Sequence, residues 1–141
     1  MKPILLDTGV IVALLDRSEA RHQDAKDAIS SVEGPLVTCE AVIAESCYLL
    51  RHWKGAADAV LANVSSGTFQ IPIALAQSAS AVRKIIAKYQ DREVDLADAC
   101  LIHLAGELKT GGILTLDSDF AVYRWGTNKP FHLLLQNRAH Y

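Results

Sequence analysis

Five carboxylates stand in this sequence where apolar residues are expected. Asp7 ends the run Ile4-Leu5-Leu6, Glu45 is the only charge from Ala41 to Leu50, Asp98 is the only one from Leu96 to Gly106, and Asp117 and Asp119 follow the run from Ile113 to Leu116. Burying an unpaired carboxylate is costly or forces it to protonate, so several in one small chain imply a shared cation. An oxygen-only donor set of Asp7, Glu45, Asp98, Asp117 and Asp119 suits Mg²⁺ or Mn²⁺, whereas zinc calls for His or Cys. His22, His52, His103, His132 and His140 form neither HxxxH nor HExxH, and Cys39, Cys47 and Cys100 lack CxxC spacing, so the thiols read as reduced and structural. Carboxylates around such an ion, with no activated Ser, Cys or His nucleophile, point to metal-assisted displacement at phosphorus. There is no P-loop and no GxGxxG, so nucleotide binding of those kinds is not supported.

The elements that must position these groups alternate between strand and helix. Aliphatic runs predict strands over residues 2–6, 36–39, 68–73, 113–116 and 131–135. Helical spacing predicts helices over residues 8–16, from Ser18-Glu19 to Gly34-Pro35, and over 40–53, 56–64, 75–89 and 95–108. Such alternation implies an α/β fold, a parallel sheet with helices on both faces, in which ligands bind beyond the carboxyl ends of the strands. Asp7 and Asp117 are each the first charged residue after an apolar strand, so both emerge at that edge. Glu45 shares a helical face with Val42 and Leu49.

Each position also has a plain structural reading. Asp7 before Thr8 and Asp117 before Ser118 can cap a helix or turn, Asp95 can cap the helix whose first turn holds Asp98, and Glu40 suits a helix start. Glu45 can be an edge residue or half of an ion pair. For Asp95 and Asp98 the two readings are compatible, with Asp95 as the cap and Asp98 pointing inward.

At 141 residues and half hydrophobic, the chain is expected to be a single domain, 1–141, with a large core. The apolar start is interrupted by Asp7 and followed by no small-residue cleavage motif, so a cytoplasmic protein without a membrane segment is expected. The net charge of −2 argues against a polyanionic partner at first sight. Setting the five carboxylates aside leaves a mildly basic chain, and a divalent ion among them would reverse the local sign.

Taken in order, Leu-Leu-Asp-Thr at Asp7, Thr-Cys-Glu-Ala-Val-Ile-Ala-Glu at Glu45, Asp-Leu-Ala-Asp-Ala-Cys-Leu-Ile at Asp98 and Leu-Thr-Leu-Asp-Ser-Asp-Phe at Asp117 and Asp119 resemble a PIN-domain ribonuclease. The length resembles the VapC-like toxins of toxin-antitoxin pairs, and the match runs from Ile4 to about Phe120. The resemblance implies a three-layer α/β/α sandwich and metal-dependent endonucleolytic cleavage of RNA. By position, Asp7, Glu45, Asp98 and Asp117 would be the core ligands and catalytic acids, Asp119 a further acid of the last motif, and Thr8 and Thr115 supporting hydroxyls. Gly9 departs from the pattern, where serine or asparagine is common, and puts one supporting hydrogen bond in doubt. The resemblance further implies a homodimer and a cognate antitoxin protein covering the cleft. A catalytically silent RNA- or protein-binding adaptor and an RNA-processing factor are the alternatives, and the intact carboxylates weigh against the silent one. Arg51, His52, Trp53 and Lys54 combine cations with a stacking surface that could hold RNA, or they form an ordinary basic helix end. Arg83, Lys84 and Lys88 read as a solvated face.

Overall fold

The computed structural model describes residues 1–135; Gln136 to Tyr141, and with them His140, lie outside the described residues. Five strands, β1 (Ile4–Leu6), β2 (Leu36–Val37), β3 (Phe69–Gln70), β4 (Gly112–Leu114) and β7 (His132–Leu133), form one parallel sheet in the order β3-β2-β1-β4-β7. Register is set by Leu5 opposite Val37 and Ile113, and by Ile113 opposite Leu133. Successive strand side chains point to opposite faces. Leu5 with Leu6, and Ile113 with Leu114, are all fully buried, so the sheet is covered on both sides. Each such side chain contributes roughly 2 kcal/mol of hydrophobic stabilisation.

The covering helices are α1 (Thr8–Leu15), α2 (His22–Ser31), α3 (Glu40–Leu49), α4 (Ala56–Ser65), α5 (Leu75–Lys88) and α6 (Leu96–Leu108). None is long and apolar enough to cross a membrane. The chain leaves β1 toward β2 and β3 on one side and later returns to β4 on the other, which makes the β1/β4 boundary the topological switch point. A crevice opens at that boundary in open parallel sheets.

Several elements depart from the expectations drawn from sequence, each for a local reason. The second helix begins at His22 instead of Ser18 because the Asp16 carboxylate accepts from both the Ser18 amide at 2.9 Å and the Ser18 hydroxyl at 2.6 Å, closing a turn first. The third helix stops at Leu49 instead of Trp53, and a turn leads to Gly55, whose φ of 81° is a left-handed conformation that glycine accepts without strain. The strands are shorter than their aliphatic runs. A two-stranded antiparallel hairpin, β5 (Arg124–Trp125) with β6 (Lys129–Pro130), was not expected at all; its turn uses left-handed Gly126 and Asn128. The last strand is only His132–Leu133 within the expected 131–135.

Candidate metal centre

A cleft of about 390 Å³ opens at the carboxyl edge of the sheet and is lined by Asp7, Thr8, Glu45, Asp95, Asp98 and Asp117, with Val12 and Leu49 on its apolar side. Asp7 ends β1 and caps α1, accepting from the Thr8 amide at 2.8 Å. Its other oxygen accepts from the Thr115 hydroxyl at 2.6 Å, and Thr115 in turn accepts from the Asp117 amide at 3.0 Å. One threonine thus ties together the chain leaving β1 and the chain leaving β4. Thr8 donates its hydroxyl to Glu45 at 2.7 Å, which joins the start of α1 to the middle of α3.

Asp95 caps α6 by accepting from the Asp98 amide at 2.8 Å, and Asp98 lies in the first turn with its carboxylate in the cleft. On its far side Asp98 accepts from the Tyr123 hydroxyl at 3.4 Å. Tyr123 is fixed by edge-to-face contacts with Tyr89 and Phe120, whose ring centroids lie 5.0 and 5.1 Å away. Capping and cleft placement therefore coexist at Asp7 and at the Asp95–Asp98 pair, because a helix N-terminus and a strand end both deliver backbone donors to one edge.

Burial of the set is less uniform than the apolar surroundings in the sequence imply. Asp7 and Asp98 are buried, Asp117 is half-buried, and Glu45 is exposed. Val42 turns into the core from the helical face that Glu45 was expected to share, while Leu49 stays exposed at the cleft rim. Asp119 is not brought into the cleft. Its amide donates to Asp117 at 2.9 Å, and its carboxylate pairs with Arg92 at 3.3 Å.

Electrostatics at the cleft follow from this packing. Burial pushes the Asp7 carboxyl up to about 6, against the lowering effect of the Thr115 hydroxyl. Asp98 is pushed up to about 8, mainly by burial and then by the negative charges of Asp95, Asp7 and Asp117. Among the described residues, no three His, Cys, Asp or Glu side chains draw together into a closed metal cage. Hard oxygen donors alone, two of them carboxylates whose burial disfavours their charged form, fit Mg²⁺ or Mn²⁺. Asp7, Glu45, Asp98 and Asp117, which line the cleft, are the candidate ligands for such an ion.

Two contributors to the site escaped sequence reasoning: Asp95, which lines the cleft, and Tyr123, which supports Asp98 from outside it. Asp95 was read only as a cap, although its position three residues before Asp98 places it on the same helical turn. Tyr123 carried no usable signal, since its place depends on a 3₁₀ turn over Ser118–Ala121 that swings the chain back beneath α6. The three cysteines are free thiols, with Cys39 and Cys100 buried and Cys47 partly so.

Comparison with known proteins is consistent with this geometry. The PIN domain matches residues 4–126. The chain is 33% identical over 116 residues to "Ribonuclease VapC26" of Mycobacterium tuberculosis, covering 81% of this chain and 86% of that protein. The crystal structure of Mycobacterium tuberculosis VapC20, described as a Sarcin-Ricin loop cleaving toxin, superposes with a TM-score of 0.79 at 24% identity, over 90% of this chain and 99% of that one.

Proposed function

The chain belongs to the PIN-domain family, and from that premise we propose that it is a Mg²⁺- or Mn²⁺-dependent endoribonuclease acting as the toxin of a toxin-antitoxin pair. The observation that carries the reading is the convergence of Asp7, Glu45, Asp98 and Asp117 from two strand ends and two helices on one cleft at the sheet's switch point. Similarity to a protein named as a ribonuclease supports RNA as the substrate.

Asp7, Glu45, Asp98 and Asp117 would hold the metal. A divalent ion bound there would supply a water of lowered pKa and offset the charge of the scissile phosphate, chemistry suited to in-line hydrolysis that would leave 5′-phosphate and 3′-hydroxyl ends. Thr115 keeps Asp7 aimed at the cleft and holds the start of the Asp117 turn. Thr8 orients Glu45 and Tyr123 orients Asp98, so each of these acids has a fixed neighbour. Asp7 and Asp98 would have to be deprotonated to hold such an ion. The VapC resemblance also supports a homodimer and an antitoxin protein as partners, for which exposed Tyr48, Leu49 and Leu61 on α3 and α4 offer apolar surface.

The test is cleavage of total RNA by purified protein. Activity is expected with Mg²⁺ or Mn²⁺, is expected to vanish with EDTA, and is expected to return when the ion is added back. Cleavage indifferent to EDTA overturns the metal-dependent reading.

A further inference from the structure

A second groove, of about 620 Å³, lies beside the carboxylate cleft and includes Leu15, Arg17, Ser18, Trp53 and Lys54 in its lining. The two linings follow one another along α1 and the turn after it. Val12 lines the cleft and Leu15, one helical turn along α1, lines the groove, while Glu19 and its neighbour Ser18 divide between them in the same way. Half of the Trp53 surface is exposed, although a tryptophan usually buries its large apolar area.

The backbone that carries the ring is anchored: the Trp53 amide donates to the Leu50 carbonyl at 3.0 Å, and the Trp53 carbonyl accepts from the Ala56 amide at 3.1 Å. The Asp16 carboxylate in the same lining accepts from the Ser18 amide and hydroxyl, while the exposed cations Arg17 and Lys54 share the lining with the ring. A half-exposed aromatic side chain in one groove with two cations is the arrangement that stacks an unpaired base and meets its phosphates. An apolar protein segment would use the ring, Leu15, Ala56 and Ala59 but would leave both cations without a role.

We propose that this groove is a subsite for an unpaired nucleotide of the RNA substrate, with the base stacked on Trp53 and the flanking phosphates against Arg17 and Lys54. The proposal rests on the ribonuclease reading and assigns the groove to the strand that enters or leaves the carboxylate cleft. Trp53 there is a binding residue and takes no part in bond cleavage.

Binding is measured by fluorescence anisotropy with a labelled 12-nucleotide single-stranded RNA of mixed sequence, in EDTA so that the strand stays intact. Trp53→Ala is expected to raise Kd about tenfold or more, and Trp53→Phe to recover most of the loss, as expected for one base–aromatic stack. A Trp125→Phe protein, in which Trp53 is the sole remaining tryptophan, should show indole emission quenched by the same RNA. An Arg17→Ala/Lys54→Ala protein should bind more weakly, with a shallower salt dependence. Unchanged affinity in folded Trp53→Ala protein, with emission indifferent to RNA, overturns the proposal. If that variant also converts a wild-type dimer to monomer on sedimentation, the face is a protein interface instead. Cleavage of total RNA with Mg²⁺ is scored in parallel. A wild-type protein that cleaves while Trp53→Ala binds normally refutes only the subsite, whereas an inactive wild type refutes the ribonuclease reading.

Discussion

Metal binding should be coupled to proton release, with a pH dependence set by two carboxylates. Asp98 rises to about 8 and Asp7 to about 6 in the folded chain, in both cases chiefly through burial. A carboxylate must be deprotonated to act as a ligand, so binding displaces whatever protons these groups hold. Below pH 6 both are protonated, and affinity should climb about a hundredfold per pH unit; between 6 and 8 only Asp98 carries a proton, and the slope should fall to about tenfold per unit. Raising pH from 6 to 8 should therefore tighten Mn²⁺ binding by about a hundredfold, with a plateau above. Isothermal titration at pH 6, 7 and 8, in buffers of differing ionisation enthalpy, reads both the affinity and the number of protons released. Asp98→Asn should bind more weakly and lose the slope between pH 6 and 8. Equal wild-type affinity at pH 6 and 8 with no proton release would refute the reasoning.

Three further outcomes follow from the same packing. In the metal-free protein, Asp7 and Asp98 retain protons that an unfolded chain, titrating near 3.8, has already lost; stability should fall as pH rises from about 4 to about 8, and Asp98→Asn should raise the melting temperature more at pH 8 than at pH 5. Thr115→Val removes the hydroxyl that serves Asp7 and the Asp117 amide, so chemical denaturation should register a loss of about 1–3 kcal/mol, together with weaker Mn²⁺ binding at pH 7; unchanged values for both would contradict the bridging role. Ser46 carries a buried hydroxyl without a hydrogen-bond partner among the described residues, and Ser46→Ala should leave stability unchanged or raise it by up to about 1 kcal/mol, whereas a clear drop in melting temperature would show that the hydroxyl has a partner.

The parallel sheet and the approximate place of each helix were legible because buried strands here are nearly continuous aliphatic runs, as at Ile4–Leu6 and Gly112–Leu114. The placement of Asp7 and Asp117 at one edge was legible for the same reason, since each is the first charge after such a run. What escaped depended on contacts between distant residues. Glu45 sits in an apolar stretch yet is exposed, because α3 turns Val42 and Ser46 inward and leaves Glu45 to meet Thr8 across the cleft. Asp119 was read from sequence as a further acid of the motif in which Asp117 is a core ligand; a single residue of a 3₁₀ turn separates their directions, and Arg92 from another segment pairs with the Asp119 carboxylate. The hairpin from Arg124 to Pro130 is too short and too polar to carry a period, and only its left-handed Gly126 and Asn128 mark the turn.

The central claim, that the four cleft carboxylates form one metal-dependent RNA-cleaving centre, is tested most directly by single-turnover cleavage of RNA by folded Asp98→Asn protein in saturating Mn²⁺ at pH 8. Cleavage is expected to be lost while the circular dichroism spectrum stays that of the wild type. An Asp98→Asn protein that cuts RNA at the wild-type rate would contradict the account.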